Sequence, residues 1–516
     1  MKNIKSLILI FSILLFGNAN SQNGSFDTDF GTNGKLVYSI GDKSDYGRAL
    51  AILDDGKIIT GGFYNLINNL PINRHIFLTK HLTDGNLDTS FGDNGIVSLT
   101  IGNDGCSISE IEIQSDGKIV ASGNANGGPI LLRFNQNGTM DNSFGNNGIS
   151  TLTSGGSFEI LDNGKFIIAG GFSDGFNVYF SISRYNSNGL IDTSFGNNGT
   201  VITDISPERF DLNAALKIQE DGKMVLAGTT YTQATQRKTV IARFMPNGNL
   251  DSTFGVNGIV ITSVGVEPGY GIYTDLEIQE DGRIIAVGNA ENEIGNGFFE
   301  SHSLMVRYNT NGSLDETFGL DGVVITDSAT NGNSLINSIV IQSDNKIVTI
   351  GYSAEAMPSF QSYLTFMKFE NNGNLDNSFG NNGIVITDLF NSETNSGYEV
   401  ILQNDGKIIG LGITNEQNTS NKDIALVRLN NQILGVEDIY LSSKVIVFPN
   451  PTNQNLNIQL SNNLVGLFIT IFNVNGKLLY ESNYTKRVDV SVLKSGTYYV
   501  EITTDKGKIV KKLIVE

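Results

Sequence analysis

Seven times this chain writes the phrase Asp-x-x-Phe-Gly, usually followed by x-Asn-Gly. The copies lie at Asp27–Gly31, Asp88–Gly92, Asp141–Gly145, Asp192–Gly196, Asp251–Gly255, Asp315–Gly319 and Asp376–Gly380. Successive copies are 61, 53, 51, 59, 64 and 61 residues apart. Self-similarity at a near-constant period constrains architecture before any single residue is weighed. A period of about sixty residues suits one four-stranded sheet with its loops, so the phrase counts blades.

The fourth copy shows the grammar of a unit. Thr200–Thr203 is short and β-branched, Ala214–Gln219 alternates, and Met224–Gly228 and Thr239–Phe244 complete four candidate strands. Asp221-Gly222-Lys223 joins the second strand to the third, an Asp-Gly pair supplying the positive φ of a tight hairpin. No helical periodicity runs through the repeats. The expected fold class is all-β, a seven-bladed β-propeller with four antiparallel strands per blade, followed by a small C-terminal β-sandwich. An extended solenoid is the rival. The ends favour a ring: the array opens at Asp27 without a fourth strand and closes on Ile424–Leu429 without a following Asp-x-x-Phe-Gly.

A charge pairing sharpens this expectation. The fourth strand carries a cation eight positions before the next aspartate: Lys80 before Asp88, Arg133 before Asp141, Arg184 before Asp192, Arg243 before Asp251, Arg307 before Asp315 and Lys368 before Asp376. Arg428 has Val436 at that spacing, so a closed ring requires Arg428 to meet Asp27. These pairs read as register pins between blades, and the seven repeated phenylalanines read as core wedges.

The ends of the chain differ from the array. Lys2 and Lys5 precede an apolar run from Leu7 to Phe16 and then Ala19-Asn20-Ser21, the pattern of a secretory signal peptide over residues 1–21. The run is too short to span a bilayer, and no transmembrane segment is expected elsewhere. Losing those two lysines takes the net charge from −19 to −21, an acidic balance that argues against nucleic acid as a partner. Cys106 is the single cysteine, so no internal disulfide can form and repeat packing must hold the fold. The array is expected over 22–432, a linker over 433–440, and a second domain over 441–516.

That second domain reads as short strands after a rigid Phe448-Pro449-Asn450-Pro451 turn: Leu456–Leu460, Leu467–Phe472, Gly476–Tyr480, Val488–Val490, Gly496–Ile502 and Lys508–Val515. The order F-P-N-P, N-x-N-G-K-L, L-K-S-G-T-Y-Y-V and a terminal K-K-L-I-V resembles the C-terminal sorting domain of type IX secretion substrates. The resemblance implies export across both membranes, with the secretion machinery as the partner of this tail and a released or surface-linked product. The array, through turns such as Gly117–Val120 and Asp405–Gly410 and through Arg307-Tyr308-Asn309, resembles the bacterial delta-60 repeat family. That likeness implies architecture and no particular activity. The third unit departs from it: 19 residues separate Gly145 from Gly164, against 25–27 in the other units.

Catalytic motifs are sparse. Gly171–Gly175 satisfies G-x-S-x-G, but a nucleophile elbow needs a following helix and a positioned histidine. His75, His81 and His302 have no metal-ligand spacing, so no metal site and no cofactor are expected. Calcium at the Asn309–Asp315 turn is a weak candidate, because asparagine serves such turns without a cation.

The loops joining strands one to two and three to four share one face and differ between units, and loops on a rigid scaffold commonly carry binding. That face is expected to hold Tyr46, Phe63, Tyr64, Phe172, Phe176, Tyr231, Tyr270, Phe298, Phe299, Tyr352, Phe360 and Tyr398, with Glu208, Arg209, Glu267 and Glu293 among them. The binding residues singled out are Tyr46, Tyr64, Phe172, Tyr231, Tyr270, Phe298, Tyr352 and Tyr398. The leading expectation is a monomeric, non-enzymatic binding propeller for a glycan or protein. The alternative is a lyase or glycosidase with carboxylates near the ring axis, and a structural envelope component is the third reading.

Overall fold

Short β-branched runs follow each Phe-Gly turn, and they pair backwards. Thr200–Thr203 hydrogen-bonds to Val178–Tyr185 of the preceding unit and forms the outer edge of that unit's sheet. The repeat written in the sequence therefore straddles two blades, which corrects the expectation that each unit is one blade. The run after Phe-Gly leaves the turn already pointing back along the previous fourth strand.

The computed structural model describes residues 23–516 except 67–73, 104, 206–210, 233–235, 265–269, 296–297, 328–331, 356–360, 390–393, 416–420, 432–444, 461–463, 474–476 and 505–506. The expected signal peptide and linker lie outside the described residues. So do Glu208, Arg209, Glu267 and Phe360, and the side chains of Glu293 and Phe298.

Among the described residues the array forms seven four-stranded antiparallel sheets. Their innermost strands are Asp45–Ile52, Cys106–Ile113, Gly156–Ile160, Asp211–Ile218, Tyr270–Ile278, Ser334–Ile341 and Asn395–Leu402, here blades 1 to 7. Each innermost strand contacts the next, and the last contacts the first. Blade 7 takes its outer strand from the chain's start, Lys35–Tyr38 pairing with Ile424–Val427. At the same junction Arg428 Nε donates to Asp27 Oδ2 at 2.7 Å.

The repeated phrase is a clasp between blades, and each letter has a task. In blade 5, Asp315 accepts Arg307 Nε at 2.8 Å, and Thr317 caps its other oxygen at 2.6 Å. The Arg307 guanidinium lies 4.4 Å from the centre of the fully buried Phe318 ring, a cation–π contact repeated by the third-strand cation of every blade. Gly319 sits at φ +54, where a Cβ would approach the Val323 carbonyl to 2.3 Å. Its N–H donates to Asn372 O in the next blade's Asn-Gly turn, and Gly373 of that turn covers the Phe318 ring. At the closure, Asn23-Gly24 supplies that turn for Phe379-Gly380.

A second cation, not recognised in the sequence, joins the aspartate. The Lys or Arg of each Asp-Gly-Lys hairpin reaches it in six blades: Lys57 to Asp88, Lys165 to Asp192, Lys223 to Asp251, Arg283 to Asp315, Lys346 to Asp376 and Lys407 to Asp27. Lys118 instead pairs with Asp116. The signal was available as a cation at the same hairpin position in all seven units. Within that hairpin only the glycine is left-handed, at φ +78 for Gly222, while Asp221 Oδ1 accepts the Lys223 N–H.

The tail carries a three-stranded sheet, with Asn455–Leu460 central, and a four-stranded one built on Gly466–Asn473 and Gly496–Thr504. Leu456, Ile458 and Val488 of the first share one core with Ile469, Ile471, Val500 and Ile502 of the second.

Candidate functional site

In six of the seven innermost strands the register slips by one residue, and in five of them the extra residue lines the mouth of the ring's axis. The extra residues are Arg48, Ser109, Ala214, Thr274, Asn337 and Tyr398. A β-bulge leaves one residue unpaired and redirects it, which is why bulges gather at sites. Arg48, Ser109, Thr274, Asn337 and Tyr398, with Phe63 and Tyr273, line a mouth of ≈ 480 Å³ at the variable-loop end of the channel. The channel below it holds ≈ 890 Å³ and touches all seven innermost strands. These volumes fall in the range of small-ligand sites.

The bulge residues link blade to blade. Thr274 Oγ1 donates to Ile336 O at 2.7 Å, and Asn337 Nδ2 donates to Gly397 O at 2.6 Å. Across the closure, Tyr398 instead stacks on Arg48, whose Cζ lies 3.9 Å from its ring centre and 5.8 Å from that of Tyr46. Tyr46 stacks in turn on Phe63 at 4.8 Å, and Arg74 covers Phe63 at 4.5 Å. Arg48 lines the mouth, and among the described residues nothing accepts a hydrogen bond from its guanidinium.

Of the residues singled out from sequence, the structure brings Tyr46 and Tyr398 together around Arg48. Tyr352 is half-buried, its phenol raised by burial, with Glu291 and Tyr398 adding to the effect. Tyr64 is a correction. It is buried, its hydroxyl bonds Ser98 Oγ at 2.7 Å and its ring packs on His75, so it plugs blade 1 instead of facing a ligand. Tyr270 meets Phe299 edge-on at 5.2 Å, Tyr231 pairs across its hairpin with Arg237, and Phe172 pairs with Tyr179. None of these three lines the mouth.

The other motifs resolve locally. Gly171–Gly175 runs from a strand into a hairpin loop. His81 bonds Gly85 O and Thr79 Oγ1, and His75 bonds Thr100 Oγ1. In the Asn309–Asp315 turn, Asn311 Oδ1 accepts the Ser313 N–H at 3.0 Å.

Beneath the mouth lies a layer of carboxyls that the sequence reading expected only in general terms. Each sits on an innermost strand and bonds the open edge of the next blade. Glu110 Oε2 accepts Phe158 N at 2.9 Å, Asp275 Oδ2 accepts Ile339 N at 3.0 Å, and Glu399 Oε2 accepts Leu50 N at 2.6 Å across the closure. One layer deeper, Glu112 accepts Ile160 N, and Lys217 stands 3.4 Å from Glu159 and 3.2 Å from Glu277. Burial works against the Lys217 charge, but Glu277 and Glu159 overcome it and hold the ammonium well above its usual range. The sequence signal was the acid-x-acid pattern of Glu110-Ile111-Glu112 and Asp275-Leu276-Glu277 on two inner strands.

These groups set a pH response. Burial pushes Glu110 up to about 8 and Asp275 up to about 6, and lifts Glu399 well above the carboxylate range. A carboxyl raised by folding stabilises the fold while protonated, and that contribution drains away as pH rises through the folded value. The clasp aspartates run the opposite way. The Ser90 hydroxyl leads the groups that hold Asp88 at about 2. For Asp315, burial is overcome by Thr317, Arg283 and Arg307, again to about 2. Their contribution is present at neutral pH and lost as pH falls through those values. The melting midpoint is therefore expected to peak at about pH 4–5 and to fall toward pH 8. Glu110→Gln should flatten that fall. A midpoint climbing steadily from about pH 5 to pH 8 would contradict the assignment.

Two known families match this chain. Residues 446–516 match the secretion system C-terminal sorting domain. Residues 114–144, 161–195, 219–254, 279–318, 342–379 and 403–432 match the β-propeller domain of unknown function DUF5122. The chain carries DUF5122 β-propeller repeats and a secretion sorting tail. The sorting domain marks the propeller for export through the type IX system to the cell surface or the extracellular space, with the secretion machinery as the tail's partner. No curated protein matches the chain in sequence.

Among solved structures, Drosophila semaphorin 2a is similar at 9% identity and a TM-score of 0.46, over 95% of this chain and 99% of that one. A polysaccharide lyase, an ulvan lyase, aligns at 10% identity and 0.45, over 77% and 96%. The Staphylococcus aureus virginiamycin B lyase aligns at 12% and 0.41, over 76% and 98%. At these values the likenesses carry no functional weight.

Proposed function

We propose that this propeller is a secreted, non-enzymatic binding module whose ligand is a glycan bearing a carboxylate, held at the channel mouth on the variable-loop face. The observation that carries this reading is Arg48, stacked on Tyr398 and lining a ≈ 480 Å³ opening, with no acceptor for its guanidinium among the described residues. A planar guanidinium with a free edge matches a carboxylate in two parallel hydrogen bonds. Tyr398, which lines the opening, offers ring surface to the C–H side of a sugar ring, while Asn337, Thr274 and Ser109 set hydroxyl-compatible groups around the rim.

Arrays of glycans and of proteins, probed with the purified protein, test this reading. Carboxylated glycans should bind, and Arg48→Ala should weaken them by about 2 kcal/mol, roughly thirtyfold. Hits confined to proteins, or glycan binding indifferent to Arg48→Ala, would count against it.

The second reading, a lyase or glycosidase, draws on Glu110 and Asp275, whose raised pKa values are of the kind catalytic acids show. Each of those carboxyls is already committed to a backbone N–H of the neighbouring blade, which supports a structural role. Release of new sugar ends from any glycan that binds, abolished by Glu110→Gln, would favour the enzyme.

A further inference from the structure

The wall around the mouth has one low sector. Blade 3 alone lacks the bulge, and its innermost strand Gly156–Ile160 has 5 residues where the others have 8 or 9. Four residues lead into that strand, 152–155, where six or seven lead into every other innermost strand. Beside it, the blade 2 hairpin turns through only Asn126 and Gly127, both at positive φ. The axial cavity runs out through this gap, past Asn124, Pro129, Leu152, Gly155 and Gly156. Asn124 and Gly156 are exposed.

We infer that the ligand is a linear acidic glycan gripped within its length, its chain leaving the mouth sideways through the gap at blade 3. The inference rests on the mouth reading above and adds the ligand's shape and direction. Two observations favour a chain over a compact ligand. The short innermost strand of blade 3, beside the two-residue turn of blade 2, provides an exit in the plane of the ring. The alternative route, down the axis, meets a cation, Lys217, already committed to Glu159 and Glu277, and so offers an anionic chain no comparable partner. Among the described residues the gap carries no charged side chain, and its Asn124 amide and glycine backbone suit sugar hydroxyls.

The test uses oligomers of alginate, polygalacturonate and hyaluronate, two to eight sugars long, titrated against the intact protein. Affinity should rise about tenfold or more from the shortest to the longest oligomer of the type that binds. Asn124→Trp, a bulky change at an exposed position in the gap, should erase that gain with the melting midpoint unmoved. Thr139→Trp, an equally bulky change at an exposed turn on the opposite face, should keep it. Affinity independent of length, or a gain that survives Asn124→Trp while Arg48→Ala abolishes binding, would overturn the chain inference and leave the mouth reading standing. No binding of any of these oligomers would overturn both.

Discussion

Replacing Arg428 by Met is expected to destabilise the protein by about 3 kcal/mol and to loosen its first strand before any other part of the ring. The size follows from what is left behind. Removing one partner of a buried ion pair typically costs about 3–5 kcal/mol, because the other charge remains desolvated. Asp27 keeps Lys407 at 2.9 Å, and that lysine is 28% exposed, which places the loss at the lower end. The location follows from topology. Lys35–Tyr38 is the outer strand of blade 7, joined to its sheet along one edge by Ile424–Val427 and brought there from the start of the array. Arg243→Met should cost a similar amount at an interface without chain ends. Hydrogen exchange at residues 27–38 should therefore accelerate in the Arg428 variant and not in the Arg243 variant. Equal exchange in both would mean that the closure is not latched there. Adding Asp27→Asn should recover part of the loss, because the stranded charge is then removed.

The second large effect is expected at the clasp phenylalanines. Phe318→Ala should cost roughly 3–5 kcal/mol, the range for a fully buried phenylalanine truncated to alanine. The ring fills the junction between Arg307 and Gly373 of the next blade, so its loss empties space on both sides. Phe318→Leu separates the contributions: it keeps apolar volume and loses the ring face under the guanidinium. The second variant should lose less than the first, with a residue attributable to the cation–π contact of about 1 kcal/mol. Denaturant unfolding of both variants measures this. A Leu variant as unstable as the Ala variant would show that the ring's shape, and not its volume, holds the blades together.

The ring was readable because its contacts recur. A Lys or Arg eight positions before an Asp, written six times and missing its partner once at Arg428, fixes both the pairing and the place where the chain must close. The clasp's second cation, at Lys57 and its counterparts, obeyed the same logic and was overlooked because a lysine after Asp-Gly looks like ordinary turn chemistry. The candidate site was harder for a physical reason. A bulge is a property of pairing register, and nothing in Gly47-Arg48-Ala49 or Gly397-Tyr398-Glu399 says that the central residue falls out of the ladder and turns toward the axis. Tyr46 and Tyr398 read from the sequence as aromatics of the variable-loop face, whereas no motif or spacing marks Arg48, which the structure places against both. Tyr64 was misjudged because its hydroxyl partner Ser98 lies on the outer strand, which the sequence assigned to the wrong blade. The short third unit was noticed as a shortened loop, and its consequence, a gap in the channel wall, depends on the missing bulge.

The seven repeated phrases hold the ring together, and the positions where the copies disagree shape its mouth. The most direct test of that division is a crystal structure of the protein with a carboxylated glycan that it binds. Density for a carboxylate against Arg48, with a sugar face on Tyr398, is the predicted result. A ligand seated on the Asp-Gly-Lys face, or against the clasp residues Asp315 and Arg307, would contradict it.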